Sequence, residues 1–144
     1  MKPFRFRLKK ILSYRGHLEK LAQQDLVKTQ IKARSLEQKI KDLTRLRHET
    51  TKACNKETKK GISGARHQFY QSYFRTLDFD VESAQHDLVL TLETVKEKQA
   101  ALQQTAINKK SLELLKEKQQ SSYLTKFSRE EQKQLDEMIV LRKR

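Results

Sequence analysis

Few residues of this chain have the type and spacing that catalysis or metal binding needs. Histidine serves as general base and as zinc ligand, and two zinc ligands on one helical face lie three or four residues apart. No two of the four histidines have that spacing, and three glycines are too few for a phosphate-binding loop. Carboxylate pairs such as Glu130 and Glu131 are typical of a solvated helix face. We therefore predict that the protein is not an enzyme and has no metal or cofactor. The four histidines are His17, His48, His67 and His86.

The single thiol, Cys54, is the remaining candidate nucleophile. Lys52 and Lys56 lie near it and favour the thiolate, but no histidine base is close to it in the sequence. A packing role near a turn is therefore the stronger interpretation. One cysteine cannot form an internal disulfide, and the chain shows neither a signal-peptide core nor the ~20 apolar residues of a membrane span. We expect a reducing, cytoplasmic environment.

Two stretches with heptad spacing account for most of the sequence. Small and apolar residues recur at steps of three and four on both sides of a glycine-bearing break at residues 61–64. This spacing averages about 3.5 residues, which keeps one stripe facing a partner helix, and the break lets the chain reverse. The predicted fold is all-α, a long antiparallel two-stranded coiled-coil hairpin that forms a rod. The first stripe contains Leu8, Ile11, Leu18, Ala22, Leu26, Thr29, Ala33, Leu36, Ile40 and Leu43, and the second contains Phe74, Leu77, Val81, Ala84, Leu88, Thr91, Val95, Leu102, Thr105 and Leu112.

The same pattern predicts the boundaries of the helices. We expect a single coiled-coil domain over residues 1–144, with helix one at about 4–55, a turn at about 56–64 and helix two at about 65–120. A short C-terminal helix is predicted at 129–142.

Two serines are placed to cap helices. Ser63 precedes helix two as an N-cap residue. Ser128 and Glu131 match a capping box, which predicts that the last helix starts after a break at 121–127. In an in-register hairpin this last helix lies beside residues 1–15, so both chain ends form one tip of the rod.

Positive charge is concentrated in the first half of the chain. Residues 1–60 contain 18 Lys and Arg against 6 Asp and Glu, whereas residues 61–144 contain 14 against 12, which gives the overall net charge of +14. Such a field draws the protein toward acidic surfaces. Apolar residues make up only 35% of the chain, which suits a helix pair with a narrow buried stripe better than a globular domain.

The first candidate binding surface is an aromatic cluster after the turn, in which Phe69, Tyr70, Tyr73 and Phe74 are followed by Leu77. A coiled-coil stripe uses about two positions in seven, so one partner helix cannot cover both flanks that these side chains occupy. Two interpretations have equal weight. The cluster plugs the hairpin near its turn, or it contacts another protein.

The second candidate is the tip formed by the chain ends. Apolar and cationic residues are interleaved through residues 2–12, and residues 142–144 add three cations. This combination fits an acidic, apolar-lined protein socket, an anionic membrane surface or nucleic-acid phosphates. The residues that we expect to bind are Phe4, Phe6, Leu8, Lys9, Lys10 and Ile11, together with Leu135 and Met138 from the last helix.

Three segments, taken in order, point to a known family. They are Phe4-Arg5-Phe6-Arg7-Leu8-x-x-Ile11-Leu12-x-Tyr14-Arg15, then Gly61-Ile62-Ser63 through Tyr70-Gln71-x-Tyr73-Phe74-x-Thr76-Leu77, and Glu131-Gln132-Lys133-x-Leu135-Asp136-Glu137. Together they resemble the FliJ family, the small cytoplasmic coiled-coil component of the bacterial flagellar type III export apparatus. The chain length also fits that family.

This resemblance implies a coiled coil similar to the gamma-subunit stalk of rotary ATP synthases. By that resemblance, the tip enters the hexameric ring of the export ATPase FliI and promotes its assembly and activity. The other end contacts the export gate protein FlhA through residues that fall on Tyr73 and Leu77, with Tyr70 and Phe74 beside them. The protein would be cytoplasmic and peripherally associated with the inner-membrane export apparatus, and the family is also associated with export chaperones.

Two other functions stay open at the level of sequence. A basic nucleic-acid-binding coiled coil would use the cations of residues 1–60, but acids such as Asp25 and Glu37 interrupt them, and we expect no specific nucleic-acid partner. The equivalent stalk of a virulence type III secretion system would have the same architecture and a different ATPase.

Overall fold

The chain folds into two long α-helices joined by a short turn. A computed structural model describes residues 2–144, in which α1 spans Lys9–Lys60 and α2 spans Gly64–Arg142. No strand occurs within the residues described. The two helices pack antiparallel as a hairpin, which confirms the predicted all-α coiled-coil class.

The turn at residues 61–63 depends on one glycine and one serine. Gly61 has a φ of 88°, a left-handed conformation that residues with a Cβ rarely adopt, and its N–H donates to the Thr58 carbonyl at 3.1 Å. The Ser63 hydroxyl accepts a hydrogen bond from the Arg66 N–H at 3.2 Å. Ser63 is therefore the N-cap of α2, as its position in the sequence predicts.

The first helix starts later than predicted, at Lys9 instead of about residue 4, and continues to Lys60. Burial alternates along the preceding segment, because Phe4, Phe6 and Leu8 are covered whereas their neighbours are exposed. A repeat of two residues is typical of an extended chain, and it conflicts with the 3.6-residue repeat of a helix. We call residues 2–8 the N-terminal arm.

The second helix continues without interruption through residues 121–127, so the predicted break there and the separate short helix are wrong. Serine and threonine in a helix interior cost only about 0.5 kcal/mol each, whereas glycine and proline, which break helices, do not occur after Gly64. Tyr123 and Phe127 also lie on this stretch and are half-buried against the N-terminal arm or against each other. Tertiary contact therefore keeps the helix intact where its local sequence is weak.

The described residues form two compact units. The turn unit comprises Gln24–Ala100, and the terminal unit comprises residues 2–23 with Ala101–Arg144. In the turn unit the buried residues of α2 recur at every seventh position, which is the spacing of a coiled-coil seam. Alanine and threonine occupy several of these positions and allow the helices to approach closely. The buried residues of the turn unit are Ala33, Cys54, Tyr70, Leu77, Ala84 and Thr91.

Cross-helix ion pairs establish the register of the hairpin, which the sequence alone left open. In the turn unit the Lys98 Nζ lies 4.0 Å from the Asp25 carboxylate, and the Arg47 guanidinium binds Asp78. Arg47 and Lys98 fall on the heptad stripes, where they interrupt the apolar pattern. Their carboxylate partners show that these charged seam positions link the two helices at their solvent-exposed edges.

The register leaves the end of α2 without a partner helix. In the terminal unit, the N-terminal arm packs against Tyr123, and every residue of 128–144 is exposed. The prediction that this part of the chain lies beside residues 1–15 is therefore wrong. Cross-helix pairs join residues that are nearly equally far from the turn. Since fewer residues precede the turn than follow it, α1 and the arm are too short to cover residues 128–144. We call residues 128–144 the C-terminal segment.

Candidate functional site

The first candidate site has two separate parts, residues 2–12 and the C-terminal segment, which together we call the terminal surface. The predicted single tip is not formed, because the arm packs at Tyr123 and leaves Leu135 and Met138 further along α2.

The N-terminal aromatics of the terminal surface pack onto α2. Phe6 is only 8% exposed, the Phe4 ring lies 5.7 Å from the Tyr123 ring, and the Tyr123 hydroxyl donates to the Lys2 carbonyl. The Tyr123 and Phe127 rings stack at 6.3 Å. The predicted partner-binding residues Phe4 and Phe6 therefore hold the arm against α2.

The cations of the same segment face solvent. Lys9 and Lys10 are exposed, as is Ile11, whereas Leu8 is half-buried. Arg5 and Lys9 also border an open groove over Lys116. This arrangement gives the N-terminal part of the terminal surface a cationic exterior over an aromatic base, which suits an acidic partner.

The C-terminal segment exposes five large apolar side chains within the seven residues 135–141. Leu135 and Met138, both predicted to bind a partner, are exposed, and so are the three residues that follow Met138. Successive residues of a helix point about 100° apart, so four consecutive apolar residues surround the whole helix. Three cations follow directly at residues 142–144. The apolar residues after Met138 are Ile139, Val140 and Leu141.

The second candidate site is the post-turn cluster, which consists of Phe69, Tyr70, Tyr73, Phe74 and Leu77. Leu77 is 3% exposed and Tyr70 is 8% exposed, so both belong to the seam. Tyr73 and Phe74 are half-buried, and Phe69 is 66% exposed. Each of the two interpretations of the sequence therefore fits part of the cluster. Some members fill the seam of the hairpin, and others remain accessible to another protein.

Two arginines support the rings of the post-turn cluster. The Arg66 guanidinium lies 5.5 Å from the Tyr70 ring centroid. It also donates hydrogen bonds to the Glu57 carboxylate, and these bonds lower the pKa of Glu57. Burial raises the pKa of the Tyr70 phenol. Arg47 lies 4.9 Å over the Phe74 ring. Cation–π contact and ion pairing therefore fix the orientation of the two rings that lie nearest the seam.

Arg47 also orients α2 against α1. Its NH2 nitrogen donates to the Asp78 carboxylate at 3.3 Å, and a second hydrogen bond comes from its Nε, which makes the pair bidentate. These hydrogen bonds lower the pKa of Asp78 and raise that of Arg47. The pair therefore remains charged at neutral pH.

The remaining chemical candidates give no further site. The Cys54 thiol is free and buried in the seam of the turn unit. Residues 2–144 contain no group of three or more His, Cys, Asp or Glu side chains that could bind a metal ion. In the same residues, neither helix has an apolar stretch of the length that a membrane crossing requires.

The fold and the two surfaces define a helical-hairpin coiled-coil protein with exposed apolar and cationic contact areas. The family model for the flagellar FliJ protein matches residues 4–144, nearly the whole chain. The protein belongs to the FliJ family, and it is thus related to flagellar protein export, in which this family is a non-catalytic component. No curated protein and no solved structure showed a significant match.

Sequence reasoning missed the contacts that organise both surfaces. Tyr123 lies within the predicted break at 121–127, although in the structure it anchors the N-terminal arm. The two-residue alternation of aromatic and cationic residues before Lys9 was the available signal for an extended arm. The pairs that Arg66 and Arg47 form gave no signal, because a long cation on a polar helix has many carboxylates within reach.

Proposed function

We propose that this protein is the stalk of the flagellar export ATPase. Its terminal surface binds the centre of the FliI ring and promotes ring assembly and ATP hydrolysis. The accessible side of its post-turn cluster contacts the export gate protein FlhA, which brings the ATPase and the gate together at the inner membrane. The family membership of the chain supports a role in export, and the exposed surfaces support these two partners.

The observation that carries the proposal is the exposed apolar turn from Met138 to Leu141. A single helix beside the C-terminal segment can cover only one side of this turn, whereas the apolar residues surround it. A partner that buries the turn must therefore enclose it, as the central opening of a ring does. Burial of apolar area supplies the binding free energy. The cations at residues 142–144 add attraction if the opening has an acidic rim.

The N-terminal arm has a supporting part in this proposal. Phe6 and Phe4 pack on α2 just before the C-terminal segment begins, and this packing stiffens the base of that segment. A stiff base reduces the conformational entropy that binding would otherwise remove. Lys9 and Lys10 contact the ring directly in the proposed complex.

For the gate contact, we assign Phe69 and Tyr73 as the side chains that touch FlhA. An exposed aromatic residue on a polar helix is a common hot spot of a protein interface. Tyr70 and Leu77 support these residues from within the seam.

The proposed mechanism uses binding and geometry. A two-helix hairpin has no rotational symmetry, so within a symmetric ring it contacts some subunits more closely than others. Those contacts favour the assembled ring over free subunits, and they make the subunits unequal during hydrolysis. The protein thereby connects the state of the ring to the gate.

The test is ATP hydrolysis by the cognate FliI, titrated with the full-length protein, with ring formation measured in parallel. We expect stimulation that saturates near one chain per ring. The double variant Met138→Ser/Leu141→Ser should lose most of the stimulation, because it removes two of the four apolar side chains of the turn.

The matched control is Val27→Ser/Ile31→Ser, which removes two exposed apolar side chains of α1 outside the terminal surface. This control should stimulate FliI like the unmodified protein. Full stimulation by the Met138→Ser/Leu141→Ser variant would contradict the proposal.

A further inference from the structure

The outer face of α2 in the turn unit exposes apolar side chains that none of residues 2–144 covers. Phe79 is 70% exposed, and Val89 and Leu90 are also exposed. Leu77 and Ala84, on the side that packs against α1, are buried. Phe79 and Leu90 are eleven residues apart, close to three helical turns, so they lie on one face.

Along α2, the charge of this face is opposite to that of the protein, and from α1 Lys32 borders the groove beside Leu90 and Asp87. Residues 76–95 contain five Asp and Glu and no Lys or Arg, although the whole chain carries +14. Glu82 and Glu93 are three and fourteen residues from Phe79, so their carboxylates flank the same exposed stripe. Neither has an ion-pair partner within the described part of the chain. We call this surface, from Phe79 to Glu93, the acidic stripe.

We propose that the acidic stripe is a docking surface for a cationic amphipathic helix of another protein. The stripe spans about four helical turns, which matches the length over which a single helix can be laid alongside. Aromatic and aliphatic residues at its centre with carboxylates at its edges complement a helix that has one apolar face bordered by lysine or arginine.

The same charges argue against other occupants. The stripe has four carboxylates, which repel the phosphates of nucleic acids and of anionic lipids. None of the four has an ion-pair partner within the described residues; they are Asp80, Glu82, Asp87 and Glu93. In a symmetric dimer, a second copy of this chain would place the same carboxylates against this stripe, so like charges would face each other. The proposal is independent of the stalk function, because the acidic stripe shares no residue with the terminal surface or the post-turn cluster.

The test uses a fluorescent probe peptide made of leucine and lysine at helical spacing, and its binding to the full-length protein is followed by fluorescence anisotropy. We expect binding despite the positive charge of both molecules. The variant Phe79→Ser/Leu90→Ser should bind the probe at least about tenfold more weakly, because it removes the apolar centre of the stripe. Both residues are exposed, so helix content in circular dichroism should stay unchanged.

The matched control is Val27→Ser/Ile31→Ser, which removes a similar exposed apolar area from α1 and should bind the probe with unchanged affinity. A second variant, Glu82→Gln/Glu93→Gln, should weaken binding several-fold at low salt and have less effect at high salt. A peptide in which glutamate replaces lysine should not bind.

Unchanged affinity of the Phe79→Ser/Leu90→Ser variant would overturn the proposal. Equal loss in the α1 control would do the same, because the peptide would then bind any exposed apolar residue. Loss of binding in Leu135→Ser/Met138→Ser, with the acidic stripe intact, would place the peptide on the C-terminal segment instead.

Discussion

Single residues of the post-turn cluster differ in what they contribute. Leu77 and Tyr70 fill the seam, whereas Phe69, on the same turn of α2 as Tyr70, projects into solvent. The sequence identified the cluster correctly as apolar and crowded. The sequence could not show which of these side chains are buried, because an aromatic residue covered by a partner helix and one exposed to solvent look the same in sequence. The register of the hairpin determines which members of the cluster face α1 and are buried.

This difference in burial predicts opposite outcomes for two alanine variants. Leu77→Ala should lower the free energy of unfolding by about 2–4 kcal/mol, because it leaves a cavity in the seam. Phe69→Ala should change that free energy by less than about 0.5 kcal/mol, because its ring is already in solvent. Urea unfolding followed by circular dichroism measures both effects.

The same pair tests the gate contact. Phe69→Ala should weaken binding to purified FlhA and reduce swimming, while its fold is intact. If Phe69→Ala bound FlhA normally, the assignment of this residue to the gate contact would be lost. A defect of Leu77→Ala alone would indicate only that the seam had been weakened.

At the scale of the helices, the turn depends most on Gly61. A side chain there would be strained at a φ of 88°, whereas Gly64 has no such φ and has open space where a Cβ would lie. We expect Gly61→Ala to destabilise the hairpin by about 1 kcal/mol. Gly64→Ala should be neutral or slightly stabilising, because alanine favours helix.

Thermal unfolding by circular dichroism compares the two glycine variants directly. Equal melting temperatures would show that an alanine at position 61 causes no backbone strain. A lower melting temperature for Gly64→Ala than for Gly61→Ala would contradict the geometry of the turn.

Helix boundaries were harder to predict than the existence of the helices. Heptad spacing over many turns predicted two antiparallel helices, and the glycines predicted where the chain reverses. The break at 121–127 was predicted from local signals, namely serines and a capping-box match. Those signals describe what a segment does alone, and they do not include the stacking of Tyr123 on Phe127 or its contact with Phe4. The long-range contact outweighed the local preference.

At the scale of the whole molecule, different residues of the terminal unit serve for folding and for the proposed binding. Residues that hold the unit together precede residue 128, and all residues from 128 onward are exposed. A chain that ends after Phe127 should therefore keep its melting temperature within a few degrees, because it loses almost no buried area. Stimulation of FliI by this truncated chain should fall to the basal level.

Differential scanning calorimetry and the ATPase titration measure the two properties of the truncated chain independently. Loss of cooperative unfolding would show that the C-terminal segment contributes to the fold. Full stimulation would exclude the segment as the ring contact and would leave the cations of residues 2–12 as the remaining part of the terminal surface.

The nearly symmetric pairing about the turn has a consequence for how this protein can change its length during evolution. Deleting one heptad from α1 and the opposing heptad from α2 would keep every remaining side chain on its present face, because about seven residues make two helical turns. A deletion in α1 alone, between Arg47 and the turn, would separate Arg47 from Asp78 and Asp25 from Lys98. Viable length variants should therefore carry paired insertions or deletions, whereas the unpaired C-terminal segment can lengthen or shorten one residue at a time.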